Sequence, residues 1–444
     1  MVLFLLHIGL DDTDSRMGGC TTYLAALLVE RINALGLTFI DYPNLVRLNP
    51  NVPWKTRGNG AVALRVDGPT HLLQDAKAAA LDILESNASL DSEGTDPAVV
   101  FLEGAVSTSL RDFSRTALTD VMSPQSALRL VKNVGAEAVC YGDRRGMVGA
   151  LAAVGELLSG DHTFELIAYR VPGSRGRPRL IDEASARSMD EATRGETFNN
   201  LDPETGRLLI TPRGPDPILY GIRGESPAGV YRAHLMLKVG EPVERWMIFR
   251  TNHGTDSHLQ GMVKVAEAGA YRSVVVQGLV SQPPRRMKGG HVVFAVKDES
   301  GEIQCAAYEP TGRFRDVAAA LAVGDEVRVF GGVRRASRTQ PRTVNLEKLE
   351  VLKLVTVGAY TAPVCPKCGR RMKSEGRGKG YGCAHCGFRD RKAQKAFTPS
   401  QRKIRLGLYV PPPRANRHLT KPLSRYGLEK PYAATKLFEP WHWP

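Results

Sequence analysis

Positions 3–10 are almost all apolar, with no helical period, and Asp11, Asp12 and Asp14 follow at once. A short apolar run bounded by charged and glycine residues reads as a buried strand. Beyond Cys20 the apolar positions Tyr23, Leu24, Leu27, Leu28, Ile32 and Leu35 recur every three or four residues, and Gly36 closes the pattern, so a helix is expected. Strands are expected at 44–48 and 61–66, on either side of a break at Asn49-Pro50-Asn51-Val52-Pro53. Helical spacing returns at about 70–86 and 125–134, the Gly/Ala-rich stretch 146–155 begins a further helix, and 164–170 is strand-like. The Pro-, Gly- and Arg-rich stretch 172–215 reads as a long loop, and mixed α/β patterns resume over 217–270.

From residue 271 the pattern changes to short alternating runs. Strands are expected at 273–280, 291–297, 303–308, 326–330 and 344–348, with a helix near 314–322. Five strands with a helix between the third and fourth is the arrangement of an OB-type barrel, although another small β domain has the same signature.

At 444 residues the chain has room for roughly three domains. Its 42% apolar and 24% charged content is that of a globular protein, which excludes disordered and collagen-like classes. No apolar run approaches the ~18 residues of a membrane span, and the opening stretch lacks the flanks of a signal peptide. The charge is uneven. The chain carries +14 and its last 84 residues +15, leaving −1 for the first 360. A basic block beside a neutral body points to a polyanion such as nucleic acid, or else to a solvated tail.

Cys365, Cys368, Cys383 and Cys386 form C-x2-C-x14-C-x2-C, with Gly369 and Gly387 after each pair. This is close to zinc-ligand spacing, and so short a segment needs a metal to fold; two redox dithiols are the other reading. Reduced thiols fit the cytoplasm. An OB barrel, a zinc ribbon and a basic tail with Tyr409, Tyr426, Tyr432, Trp441 and Trp443 all suit RNA.

The candidate chemistry lies in the first loop. Asp11, Asp12 and Asp14 crowd the C-terminal end of a strand, where ligands of open α/β sheets bind, and Mg2+ with phosphate oxygens would relieve their repulsion. Gly18 and Gly19 allow close approach of backbone to phosphate, and Thr21 or Thr22 would cap the next helix. An Asx turn with an ordinary cap fits these residues equally well. The loop Lys55-Thr56-Arg57-Gly58-Asn59-Gly60 could clamp phosphates through Lys55 and Arg57, or be a solvated basic turn. No P-loop or complete dinucleotide fingerprint is present. His253, Asp256 and His258 are the one close histidine grouping, a metal or substrate site or else a polar turn.

Several of these stretches together resemble a known family. They include Gly9-Leu10-Asp11-Asp12-Thr13-Asp14-Ser15, Gly19-Cys20-Thr21-Thr22-Tyr23 and Arg47-Leu48-Asn49-Pro50. Lys55 to Ala61, the run 146–155, Tyr220-Gly221-Ile222-Arg223-Gly224-Glu225, the stretch 252–259, Cys305-Ala306-Ala307-Tyr308-Glu309-Pro310-Thr311, the four-cysteine segment and Arg417-His418-Leu419-Thr420-Lys421-Pro422-Leu423 belong to the same pattern. In this order they resemble the archaeal 2-agmatinylcytidine synthetases of the CAU-anticodon isoleucine tRNA, the TiaS family. The resemblance implies a multidomain α+β chain: a kinase-like α/β domain over 1–60 and 136–195, a ferredoxin-like domain over 61–135 and 196–270, an OB fold over 271–357, a zinc ribbon over 360–390 and a basic tail over 391–444. It implies ATP-dependent ligation of agmatine to C2 of the wobble cytidine, with ATP and Mg2+ at the loop of Asp11, Asp12, Asp14, Gly18, Gly19, Thr21 and Thr22 and with Zn2+ at the four cysteines; Lys55, Arg57 and Asn59 fall in the matching basic loop, where the phosphate role of Lys55 and Arg57 is read from their charge. Asp11, Asp12 and Asp14 inherit the nucleotide–metal role, and Thr21 matches the family's autophosphorylated threonine. The partners implied are that tRNA and agmatine, with no membrane. A non-catalytic RNA-binding protein is the alternative, and a Mg2+-dependent nuclease or nucleic-acid ligase a third reading.

Overall fold

In the first strand, β1 (Leu3–Asp11), the inner residues have both faces covered, because side chains alternate between two separate cores. Leu6, Ile8 and Leu10 enter one core; Gly9, between them, turns to the other. The computed structural model describes residues 3–15, 17–55, 58–432 and 436–444. The first half comprises β1, α1 (Thr21–Ala34), β2 (Thr38–Phe39), β3 (Asn44–Arg47), β4 (Gly60–Pro69), α2 (Leu73–Asn87), β5 (Ala98–Glu103), α3 (Thr108–Thr119), α4 (Pro124–Asn133), β6 (Glu137–Cys140) and α5 (Gly146–Gly155). The second half runs through β7 (Thr163–Arg170), α6 (Glu183–Ala192), β8 (Thr197–Phe198), β9 (Ile218–Gly224), α7 (Pro227–Met236) and β10 (Val243–Thr251).

Among the described residues these strands form one sheet in the order β6-β5-β1-β4-β3-β10-β7-β9-β8, with β2 beside β4. Every pairing is antiparallel except β3 with β10, the seam where the two halves meet. Helices α1 and α2 pack on one face of the first half through Leu24, Leu28, Ile32, Ala80 and Leu84; α3, α4 and α5 cover the other. Gly9, Ala61 and Ala63 on β1 and β4 are small where α5 packs, and a Cβ on Gly9 would overlap the Ala150 carbonyl. So α5 lies almost on the backbone of β1.

The expected barrel is present as β11 (Ser273–Arg286), β12 (Val292–Asp298), β13 (Gly301–Ala307), β14 (Glu326–Arg334) and β15 (Thr343–Lys353). It closes by parallel pairing of β13 with β15, and α8 (Phe314–Ala319) lies between β13 and β14. Beyond the barrel, β16 (Gly358–Thr361) pairs with β20 (Ala396–Pro399), and between them β17 (Lys373–Ser374), β18 (Tyr381–Gly382) and β19 (Arg389–Asp390) form the cysteine-bearing ribbon.

Two expectations change. The stretch 172–215 is not all loop. Asp182 Oδ1 accepts from Ser185 N at 2.6 Å and starts α6, whose Ala186 and Met189 join the core. The basic tail is not a solvated arm. Strand β21 (Gly407–Tyr409) pairs with β15, and β22 (His442–Trp443) pairs with β10 in the main sheet. Between them Arg425, 1% exposed, bonds Glu225 at 2.5 Å, Asp161 at 2.9 Å and the Gly254 carbonyl at 2.6 Å. Arg414 forks onto Asp202 at 2.8 and 2.9 Å, and Lys430 reaches Glu225 at 2.7 Å. The segment is a strap whose cations bind carboxylates of the body.

Removing Arg425 leaves Asp161 and Glu225 with only the remaining strap cations, Lys421 and Lys430, beside them. Arg425→Ala is expected to destabilise the protein by on the order of 3–5 kcal/mol, read from denaturant unfolding. A loss below about 1 kcal/mol would show that the strap is not held by this pair.

Candidate active site and metal centre

Strand β1 delivers Asp11 to the sheet edge, and the chain turns sharply through Asp12, whose φ of +56° is tolerable for an Asx residue. Contacts from distant segments pin the loop. Asp12 Oδ2 accepts from Asp96 N at 3.0 Å, Thr95 donates to the Asp14 carbonyl at 3.0 Å, and Thr13 Oγ1 donates to Thr21 Oγ1 at 3.0 Å. Gly19 has φ +82°, and a Cβ there would sit 3.0 Å from the Thr13 carbonyl. Cys20, not Thr21 or Thr22, holds the cap position of α1, and no side chain caps that helix. Thr21 and Thr22 are instead its first two residues, and both line the cavity described below.

Behind the loop, the first turns of α5 are glycine where the carboxylates press on them. A Cβ on Gly149 would overlap Asp11 Oδ2, and one on Gly146 would lie 3.0 Å from Asp12 Cβ. Burial, then Asp12 and Asp14, push the Asp11 carboxyl well above its usual range. Burial foremost, with Asp14 and Asp96 adding to it, raises Asp12 to about 6. Both shifts come first from burial and then from neighbouring carboxylates, an environment a divalent cation fits.

The loop forms one wall of a cavity of about 550 Å3 at the seam of the two half-sheets. Opposite the acidic loop lies a buried cluster of which sequence reading singled out His253 alone as a candidate site residue. Glu165 on β7 faces Arg223 on β9 at 3.0 Å, His253 at 3.5 Å and Arg47 on β3 at 3.8 Å. His418, from the strap, meets the His253 ring edge-on at 5.0 Å. Burial alone would raise Glu165, but Arg223, His253 and Arg47 hold it well below its usual range, so it stays ionised. Burial and then Arg223 hold His253 near 4, and Arg47 with burial keeps His418 far down, so both imidazoles are neutral. Two guanidinium groups against one carboxylate give this wall net positive charge.

The second loop is only partly as expected. Lys55 lines the cavity, its pKa lowered by burial and by Arg417. Asn59 lines it too, but its amide donates to the Asn49 carbonyl at 2.7 Å. Arg57 lies outside the described residues. Arg47 sits under the loop, its guanidinium 3.1 Å from where a Cβ on Gly58 would be. The grouping His253, Asp256 and His258 comes apart: His258 bonds Glu347 at 2.8 Å in the interior, and Asp256 pairs with Lys348.

The four cysteines converge. Cys365 and Cys386 sulfurs are 3.5 Å apart, Cys368 and Cys383 3.4 Å, and all four lie within 4.8 Å of one another. Four thiolates about 2.3 Å from one ion stand near such separations. Gly369 and Gly387, at φ +71° and +72°, close the two knuckles. Backbone N–H groups of Cys386 and His385 draw Cys383 down to about 6, whereas Cys368 and Cys386, beside the other sulfurs, are pushed up. The donor set fits Zn2+.

Known proteins share this architecture. The TiaS TCKD domain model matches residues 7–143, the TiaS FLD domain model 144–258, an OB-fold nucleic acid binding domain 274–352, and the TiaS C-terminal zinc ribbon domain 362–404. The first two spans are each continuous in sequence. A curated protein of Staphylothermus marinus, the isoleucine-tRNA 2-agmatinylcytidine synthetase TiaS, is 42% identical over 438 residues, covering 96% of this chain and 95% of that protein. The crystal structure of TiaS in complex with its isoleucine tRNA and ATP superposes with a TM-score of 0.85 at 39% identity. That of TiaS with the same tRNA, AMPCPP and agmatine superposes with a TM-score of 0.83 at 37% identity. Each comparison covers 95% of this chain and 97% of the other.

A carboxyl raised in the folded state stabilises below its unfolded pKa, and that contribution disappears as pH climbs through the folded value. With Asp12 moving from 3.8 to about 6, the metal-free protein loses stability between pH 4 and 7. Asp12→Asn is therefore expected to be about 1–3 kcal/mol more stable than the parent at pH 8 in EDTA, and no more stable below pH 4. Equal stability at both pH values would refute the crowding. For the ribbon, Cys365→Ser is expected to lose the bound metal by native mass spectrometry, and unchanged metal content would refute the four-cysteine site.

Proposed function

We propose that this chain, which belongs to the isoleucine-tRNA 2-agmatinylcytidine synthetase family TiaS, ligates agmatine to C2 of the wobble cytidine in the isoleucine tRNA with a CAU anticodon, at the expense of ATP. The observation that carries the reading is the cavity itself, where three crowded carboxylates face a buried arginine pair across one seam. The half-sheet bearing β1 and α5 supplies the acidic, kinase-like wall, and β7 and β9 of the other half, with Arg47 from β3, the basic one. A non-catalytic RNA-binding protein has no use for carboxylates held at raised pKa.

Cytidine O2 is a poor leaving group. Transfer of a phosphoryl group from ATP to O2 makes it a phosphate ester. The neutral amine of agmatine then attacks C2, the C2–O bond breaks, and phosphate leaves as the amine gives up its proton. Asp11, Asp12 and Asp14 would hold Mg2+, which when bound neutralises phosphate charge. Lys55, Arg47 and Arg223 lie where they can hold phosphate oxygens in line, so catalysis is chiefly positioning and charge neutralisation. Thr21, hydrogen-bonded to Thr13 within the loop, presents the hydroxyl proposed to be phosphorylated. The wobble base must leave the anticodon stack to enter. Seven free cysteines and an RNA substrate favour the cytoplasm.

The test is an incorporation assay with ATP, Mg2+, labelled agmatine and a transcript of that tRNA, analysed by nucleoside mass spectrometry. An ATP-dependent agmatine adduct of cytidine is expected. Asp12→Asn should lower its rate at least about 100-fold, and Thr21→Val should abolish it while tRNA binding persists. Full turnover by Thr21→Val would remove its role, and tRNA binding by the parent without adduct or ATP turnover would favour the RNA-binding alternative.

A further inference from the structure

The positive charge of the C-terminal fifth divides into two parts. The strap from residue 407 on engages Arg414, Lys421, Arg425 and Lys430 with carboxylates of the body. The segment 362–406 differs: it carries thirteen Lys and Arg against Glu375 and Asp390 alone. Among its described cations, ion pairs are made by Arg389 with Glu375 and Arg402 with Asp325. The uncompensated charge therefore lies in the stretch of sequence that carries the cysteine ribbon and β20, which with β16 makes the two-stranded neck to the barrel.

The neck has two unlike faces. Tyr360 and Phe397 are direct cross-strand partners on one face, and Gly358 and Pro399 flank them there. Ala359, Thr361, Ala396 and Thr398 make the other, where Thr361 and Thr398 hydroxyls bond at 2.9 Å. The rings of Tyr360 and Phe397 meet edge-to-face, 5.5 Å apart at 64°, yet Tyr360 is 69% and Phe397 42% exposed. A Cβ on Gly358 would lie 2.7 Å from the tip of the Phe397 ring, so glycine there lets the ring lie flat across the strand. Among the described residues, no helix or further strand covers these rings. Val357 and Val364, beyond the two ends of β16, are exposed as well.

An exposed aromatic pair on a neck whose adjoining chain is rich in Lys and Arg that make few ion pairs with the body has the chemistry of a single-stranded RNA platform. A ring stacks on a base, and the cations hold the adjoining phosphates. We infer that Tyr360 and Phe397 form a stacking site for an unpaired nucleotide of the tRNA substrate, outside the catalytic cavity. Charge complementarity selects the occupant: a protein partner for this patch would have to be strongly acidic. The inference rests on the tRNA reading above.

A cross-strand aromatic pair also stabilises its own ribbon, so the test must separate the two roles. The variant Tyr360→Val with Phe397→Ile keeps an apolar β-branched pair and removes both π faces. In the full-length protein it is expected to weaken binding of the isoleucine tRNA transcript about 5- to 100-fold. Zinc content should be unchanged, and so should the slope of log Kd against log salt, because no phosphate contact is lost. Tyr360→Phe should bind like the parent. Phe397→Trp should bind tRNA with quenched indole fluorescence, and a blunt RNA duplex should not quench it. Equal tRNA affinity of parent and Val/Ile variant with zinc retained would overturn the inference, as would a tryptophan at 397 blind to tRNA. If the parent itself fails to bind the tRNA, the proposed function falls instead.

Discussion

Three like charges held within four residues impose the constraint on which the cavity depends. Asp11, Asp12 and Asp14 repel, and burial makes that repulsion stronger than it would be in water. The fold keeps them together by pinning backbone, with Arg145 offsetting part of the charge at Asp12. Asp96 and Thr95 hold the loop from one side, and the glycines of α5 admit the Asp11 carboxylate from the other. The loop therefore holds carboxyls whose raised pKa values make it ready for a cation, the role proposed for it above.

The opposite wall obeys the complementary rule. Glu165 is buried among Arg47, Arg223 and two neutral imidazoles, and the guanidinium groups keep it ionised. Its role is to let two guanidinium groups stand close together without excluding one another from the cavity. The parallel seam between β3 and β10 brings this wall to face the acidic one. A shift of register at that seam would separate Arg47 from Glu165 and leave buried charge on both sides.

Basic charge carries two meanings in this molecule. In the strap, arginines such as Arg425 act inward, joining the second half-sheet to the C-terminal segment through half-buried carboxylates. Around the zinc ribbon the same residue types face solvent, where they can meet a polyanion. Composition cannot distinguish these cases, because the carboxylates that engage Arg425 lie 264 and 200 residues away in the chain.

Features that depend on near neighbours were legible in the chain alone. These were the strand–acidic loop–helix at the start, the Gly/Ala helix over 146–155, the alternating strands of the barrel and the four zinc ligands, because spacing and residue type within a few positions decide each. Helix α6 escaped that reading: its single buried stripe of Ala186 and Met189 is short and lies in a Pro- and Gly-rich stretch. The remaining features were fixed by three-dimensional packing. Glu165 meets Arg223 because β7 and β9 pair in one register, Arg47 arrives from a third strand, and His418 from the strap. Asn59 looks like a ligand in its loop and is drawn instead onto the Asn49 carbonyl. Each of these outcomes depends on which distant backbone lies alongside, a long-range geometric fact that no local period records.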